Sequence, residues 1–324
     1  MISLVQLLRQ TLNEGGNVFR NTAPIKKENI DPTINALIKA LSSLFPKKST
    51  SFKTLEKLGS AGKKDESGDI DLAYSAKFLA DGDKPDFNGW NIKPEEYQAQ
   101  FDSFKKRART ATDAQLNLKT LLFFIAKQIE ESNTGINSNS KNVGSGAIFL
   151  SFPQYTPSGE ELDSRAQIDI NIGDPEWLKF SYYSNVYKGA VKGLHRTQLM
   201  LALFTHKGKM FKHELGVLDK ETREVEAKTP KEALELLNKL YNFDPELTQD
   251  TLNDYFELSL FLKEQLSPEE YKELMKRYLG ILDKTGPSAD IPDDLQQYWI
   301  DHQDEFGLTG KFLPQSSNLI KYKK

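Results

Sequence analysis

Asp69 and Asp71 stand two residues apart in "SGDIDLAYS", with Ile70 between them. On an extended strand, alternate side chains share a face, so the two carboxylates project together while Ile70 and Leu72 turn the other way. Like charges held that close are unfavourable unless a cation lies between them. A second stretch, "AQIDINIG", has the same form: Ile168, Ile170 and Ile172 make one face and Asp169 and Asn171 the other. If these strands are neighbours in one sheet, Asp169 falls beside the Asp69/Asp71 pair. Three carboxylates on a rigid surface suit two Mg²⁺ ions roughly 3.5–4 Å apart, with Mn²⁺ as a substitute. The residues just ahead supply the complementary charge. Gly59 and Gly62 permit tight turns and close backbone approach, Ser60 offers a hydroxyl, and Lys63 and Lys64 offer positive charge for a triphosphate.

The spacing predicts the elements that hold these groups. Period-two alternation marks a half-buried strand over 69–74 and further strands over 147–152 and 165–173. Ile34, Leu37, Ile38, Leu41 and Leu44 give one apolar face to a helix over 33–45, opened by Asp31 as N-cap and Pro32 at the first helical position. A helix is also expected over 3–13, a loop over 80–93, a long and broken helix over 94–132 and a polar loop over 133–146. Residues 193–206 read as a helix and 209–227 as a hairpin turning near Asp219. The remaining pattern is helical over 230–240, 248–264, 268–283 and 293–305, with Tyr241, Phe243, Tyr255, Phe256 and Phe261 as core aromatics. The expected class is α+β: a mixed β-sheet core over 49–240 carrying an insertion at 80–145, with a helical flank at 1–48 and an acidic helical domain at 241–324.

Composition bounds the rest. Hydrophobic residues at 38% suffice for ordinary cores, and the absence of cysteine removes disulfides and thiolate metal sites. No apolar stretch reaches the length of a membrane span, so a cytoplasmic protein without membrane partners is expected. The net charge of −3 hides an asymmetry. Residues 241–324 hold 9 Lys/Arg against 16 Asp/Glu, whereas residues 1–240 hold 34 against 30. That balance excludes a strong non-specific nucleic-acid binder, which needs many phosphate contacts, but leaves room for one nucleotide or an RNA or DNA end. The basic run at 105–109 reads as a backbone contact or a solvated helix face. His195 and Arg196 open a helix, where they meet a phosphate or solvent; His206, His213 and His302 complete a set without zinc spacing. "GLTGKFLP" lacks the spacing of a P-loop.

Gly-Ser, basic residues and then Ser-Gly-Asp-x-Asp on a strand resemble the signature of the DNA polymerase β nucleotidyltransferase superfamily. "RAQIDINI" is similar to the strand bearing that superfamily's third aspartate. "WLKFSYYSN", followed by residues 193–237, resembles the aromatic nucleotide-pocket strand, helix and closing elements of family X polymerases. The ordered motifs span roughly residues 50–240, and "EGGNVF" at 14–19 adds a faint likeness to phage-encoded members. The resemblance implies that Asp69 and Asp71 bind two metals and that Asp169 binds the catalytic one and helps activate the attacking hydroxyl. It further implies that Gly59, Ser60 and Lys63 contact the triphosphate, with Tyr182 and Tyr183 near the sugar or base. Asn171 departs from the arginine common at its position, and neither a helix-hairpin-helix nor a lyase signature precedes the motif. Nucleotidyl transfer from an NTP or dNTP to a nucleic-acid 3′ end is therefore the expected activity, without templated gap filling. Two other readings stay open: an AMP transfer to protein, and a catalytically silent protein that binds a partner through its acidic C-terminal helices.

Overall fold

The computed structural model describes residues 18–309 apart from 82–83, 109–110, 145, 186–192 and 286–292. The helix expected over 3–13 and most of the segment at 14–19 lie outside the described residues. Twelve strands are described: β1 (Ile25–Lys26), β2 (Glu56–Lys57), β3 (Glu66–Ser67), β4 (Ile70–Ser75), β5 (Ala80–Asp81), β6 (Lys84–Pro85), β7 (Asn137–Ser138), β8 (Ala147–Tyr155), β9 (Glu161–Gly173), β10 (Lys209–Lys212), β11 (Gly216–Asp219) and β12 (Val225–Ala227). The central sheet is mixed, in the order β2-β4-β9-β8-β7. Its one parallel pair is β4 with β9, and the register sets Asp71 opposite Asp169 and Ala73 opposite Asn171. β8 and β9 form a long antiparallel hairpin in which Phe149 faces Asp169 and Ala147 faces Asn171. The fold is thus mixed α and β, as the alternating patterns require.

One face of the sheet's three central strands is apolar. Ile70 and Leu72 of β4, Ile168, Ile170 and Ile172 of β9, and Ile148, Leu150 and Phe152 of β8 are all buried in one cluster. The helices Lys27–Leu44 and Asp113–Glu130 lay Leu37, Leu41, Leu122, Ile125 and Ile129 into the same cluster. Phe45, Phe52, Tyr74 and Trp90 interlock at its edge with ring centroids 5.1–6.5 Å apart. A second cluster joins Trp177, Phe180 and the helix Gly193–His206 to the helices beyond residue 241. Apolar packing therefore runs continuously across residue 240.

Several elements differ from expectation for identifiable reasons. The first described helix spans Lys27–Leu44, not 33–45, and Asp31 is not its cap. β1 pairs with β3, and Lys27 N donates to the Asp65 carbonyl, so backbone supplies the cap and the helix starts six residues earlier than expected. Pro32 is consequently inside the helix, while Asp31 pairs with Lys57 at 2.7 Å. The loop at 80–93 contains the β5–β6 ladder, and Trp90 within it is buried. The helical stretch over 94–132 is broken, as expected, into Pro94–Arg107 and Asp113–Glu130, the second opened by a reciprocal Thr112/Gln115 cap. The polar stretch 133–146 adds β7 to the sheet edge. Residues 209–227 form a three-stranded meander; the Asp219 turn joins its second and third strands. The helix expected over 248–264 divides at Asp254, whose carboxylate caps Tyr255–Gln265. Phe256 is 40% exposed rather than core, because it faces outward from that helix.

The rear face of β9 fixes how firmly Asp169 is held. Ile168→Ala should lower the unfolding free energy by about 2–5 kcal/mol, read as a lower urea midpoint at unchanged slope. A shift corresponding to less than ~0.5 kcal/mol would show that this face is not packed as described.

Candidate active site

The site lies on the polar face of the sheet, built around the parallel β4/β9 pair. Neighbouring strands lie about 4.8 Å apart, so the register alone brings Asp71 and Asp169 together. Asp69 enters two residues ahead of Asp71, and its charge acts on both other acids. Asp169 is 6% exposed; Asp69 and Asp71 are half-buried. The strand expected to be half-buried is closed in on both faces, since Ala73 is also buried, against Leu58 and Leu178.

Each acid leans on a neighbour. Asn171 Nδ2 donates to Asp71 Oδ1 at 3.2 Å, and Gln167 Nε2 donates to Asp169 Oδ1 at 3.0 Å. Gln167 is in turn held by the backbone, its Oε1 accepting from Val18 N at 2.8 Å. Burial, reinforced by the Asp69 charge, pushes the Asp71 carboxyl up to about 7. Burial again, then the charges of Asp71 and Asp69, push Asp169 up to about 8. Burial also raises Asp69, opposed by a hydrogen bond from its own backbone.

The basic turn reaches the same place. Gly59 and Gly62 adopt φ of 57° and 75°, left-handed values that favour glycine. Leu58 N donates to the Asp71 carbonyl at 2.9 Å and Lys63 N to the Ser60 carbonyl at 3.0 Å, folding the turn back over β4. A Cβ at Gly59 would stand 3.8 Å from Asp71 Oδ2 and 3.6 Å from the Tyr182 carbonyl. Lys63 Nζ lies 5.7 Å from the centre of the Tyr183 ring, and the Tyr182 hydroxyl donates to Asn171 Oδ1 at 2.9 Å. Gly59, Asp71, Asn171 and Tyr182 thus form one contiguous group, with Lys63 and Tyr183 beside it. Lys63 and Lys64 are exposed and Ser60 is half-buried on the turn.

The segment bearing the tyrosines is not the strand expected from "WLKFSYYSN". Pro175–Ser181 is a helix, because Asp174 caps the Glu176 and Trp177 amides and Pro175 opens it. Tyr182 follows as its C-cap. Its last carbonyls are bound from behind: Arg196 donates to Phe180 O at 2.7 Å and Thr197 to Ser181 O at 3.0 Å. Arg196 also donates to Leu252 O and Asn253 Oδ1, and burial pulls its guanidinium down to about 9. His195 bonds the Tyr278 hydroxyl at 2.9 Å. Both residues are buried, so neither meets a phosphate or solvent as expected from their place at a helix start.

Among the described residues, no group of three His, Cys, Asp or Glu side chains stands gathered as metal ligands. The donor types are those that suit hard divalent cations: three carboxylates, of which Asp69 acts on Asp71 and both act on Asp169, with two amides and no thiolate beside them. Gln167, which holds Asp169, is not among the residues singled out in the sequence; Asn171 is placed there on the acid face but without a role, and Arg196 is expected at a phosphate or solvent, not beneath the tyrosine segment. Gln167 shares the period-two face of Asp169 and was legible on that ground.

No protein-family model matches the chain, and no curated protein matches it. Among solved structures it is similar to Leishmania infantum polymerase beta in a ternary P/T complex, with 8% identity and a TM-score of 0.34 over 67% of this chain and 74% of that chain. So faint a likeness adds no weight to the assignments that follow.

The raised acids set a pH dependence. Between pH 4 and about 8 the folded chain keeps a proton on Asp169 that the unfolded chain has released, so this group's contribution to stability falls as pH rises and then levels off. The buried His213, held down to about 4, contributes with the opposite slope below pH 6.5, but it cancels in a comparison of variants. In chelator, Asp169→Asn should therefore melt at least ~2 °C above the wild type at pH 8, with the gap shrinking towards pH 5. Equal melting at both pH values would remove the carboxylate strain.

Proposed function

We propose that the chain is a Mg²⁺-dependent nucleotidyltransferase that moves a nucleoside monophosphate from an NTP or dNTP to an acceptor hydroxyl. The observation that carries this reading is the Asp71–Asp169 register, with Asp69 two residues ahead and the Gly59–Lys63 turn folded against Asp71. A turn carrying Ser60, Lys63 and Lys64 thus abuts the acids, which suits a triphosphate bound together with its counter-ions.

Asp69, Asp71 and Asp169 would hold the two ions. Bound Mg²⁺, or Mn²⁺ in its place, neutralises charge on the reacting phosphate and lowers the acceptor hydroxyl's pKa. The chain's own groups do the rest. The Gly59–Gly62 backbone, the Ser60 hydroxyl and the Lys63 and Lys64 ammonium groups bind the β- and γ-phosphates. Tyr183 lies beside the sugar or base, and Tyr182 is held by Asn171. The acceptor oxygen bonds to the α-phosphorus as the bond from that phosphorus to the bridging oxygen breaks. The hydroxyl proton passes to Asp169 Oδ2, since Oδ1 is engaged by Gln167, and pyrophosphate leaves with the bonding pair. Fixed charge and positioning supply most of the rate.

Radiolabelled triphosphates offered with Mg²⁺ and a panel of RNA, DNA and protein acceptors test this. Transfer should fall about 100-fold or more in Asp69→Asn and in Asp71→Asn. Lys63→Ala should raise the triphosphate KM about tenfold with little change in kcat. Label incorporation that survives both aspartate substitutions would overturn the assignment. No labelling on any acceptor, with no nucleotide-induced thermal shift, would favour a silent binding protein.

A further inference from the structure

The acidic row does not end at Asp169. Directly opposite it on β8, on the same polar face, is Phe149, so Asp71, Asp169 and Phe149 stand in line across β4, β9 and β8. Phe149 and Ala147 are half-buried, while Ile148 and Leu150 between and beyond them are buried. Among the described residues, Phe149 belongs to none of the apolar clusters and packs against none. One partly exposed phenylalanine is unremarkable by itself. An aromatic ring set outside the core, one strand from a carboxylate and beside alanine, is a different matter. The next row, Ala73–Asn171–Ala147, is closed at its β4 end, where Ala73 is buried against Leu58 and Leu178, and carries the small, half-buried Ala147 beside the ring on β8.

The two sides of the row are not equivalent. The Gly59–Lys63 turn and Tyr183 occupy the β4 side, so the triphosphate belongs there. What approaches from the β8 side is the other reactant. From this geometry we infer that Phe149 is a stacking platform for the terminal base of the acceptor, whose sugar hydroxyl then faces Asp169. This rests on the nucleotidyltransferase reading and adds to it the residue that selects the acceptor. A nucleoside carries hydroxyl and base on one sugar, which matches cross-strand positions about 5 Å apart. A tyrosine bears its hydroxyl on the ring itself, and a serine has no ring to stack, so a protein acceptor uses this arrangement poorly. Base–aromatic stacking is sequence-tolerant and is worth about tenfold or more in affinity.

The test uses the full chain and a short labelled single strand ending in a normal nucleoside or in an abasic sugar. Both ends have the same hydroxyl and the same phosphates, so the ratio of their affinities isolates the base. In anisotropy titrations without triphosphate, the wild type should prefer the normal end about tenfold or more. Phe149→Ala and the volume-keeping Phe149→Leu should bring the ratio near one, and Phe149→Tyr should restore it. Triphosphate-induced thermal shifts should stay equal in all four proteins, which separates loss of the ring from loss of the fold. Equal binding of both ends by the wild type, or a preference that persists in Phe149→Leu, overturns the assignment. So does labelling of protein acceptors with none of the strand. A preserved base preference with no transfer to any acceptor would instead sink the nucleotidyltransferase reading and leave the platform standing.

Discussion

Everything on the polar face depends on one constraint: β4 and β9 pair in parallel, in a register that sets one carboxylate against another. Such an arrangement opposes folding, because burial and mutual repulsion push Asp71 and Asp169 towards their protonated forms. It persists because the rear of the same strands is an unbroken bed of isoleucine and leucine. A one-residue slip of either strand would turn that bed to solvent and the acids into the core. Apolar packing on one side thus enforces electrostatic strain on the other.

The strain is distributed through amides. Asn171 holds one oxygen of Asp71 and takes the Tyr182 hydroxyl on its own carbonyl, while Gln167 holds Asp169 and is anchored to the Val18 amide. These contacts orient the carboxylates without neutralising them, leaving Asp71 Oδ2 towards the glycine turn. The segment before β1 also runs along the start of β9, with Ala23 N donating to Arg165 O at 2.8 Å. Residues far apart in sequence therefore converge on each acid.

The tyrosine side is held by the second apolar cluster. Arg196 and Thr197 bind the carbonyls that end the helix before Tyr182, and Arg196 ties the same point to Leu252 and Asn253. His213, on the turn between β10 and β11, packs against the Tyr182 ring at 4.5 Å. The helices beyond residue 240 are thus tied to the segment bearing Tyr182 through the buried Arg196 guanidinium and through Asn185, whose Nδ2 donates to Asn253 O and Asp254 Oδ2. A charged group buried among carbonyls is costly to lose, which makes this junction a fixed support.

The sequence by itself determined the strands that bear the acids, the face each acid occupies and the glycine turn ahead of them. Those follow from period two and from the backbone freedom of glycine, both local properties. It determined most helices as well, through the spacing of their apolar residues. Tertiary structure alone decided that β4 and β9 are neighbours and parallel, which converts two separate patterns into one site. It moved the first helix start from residue 33 to Lys27 because a remote carbonyl, Asp65 O, supplied the cap. It buried His195 and Arg196 where a helix start had suggested a phosphate contact. The strand pairing, the moved helix start and the two burials depend on partners distant in the chain, which leave no trace in local periodicity; the helix at 175–181 has a local cap, Asp174, that the aromatic pattern masks in the sequence.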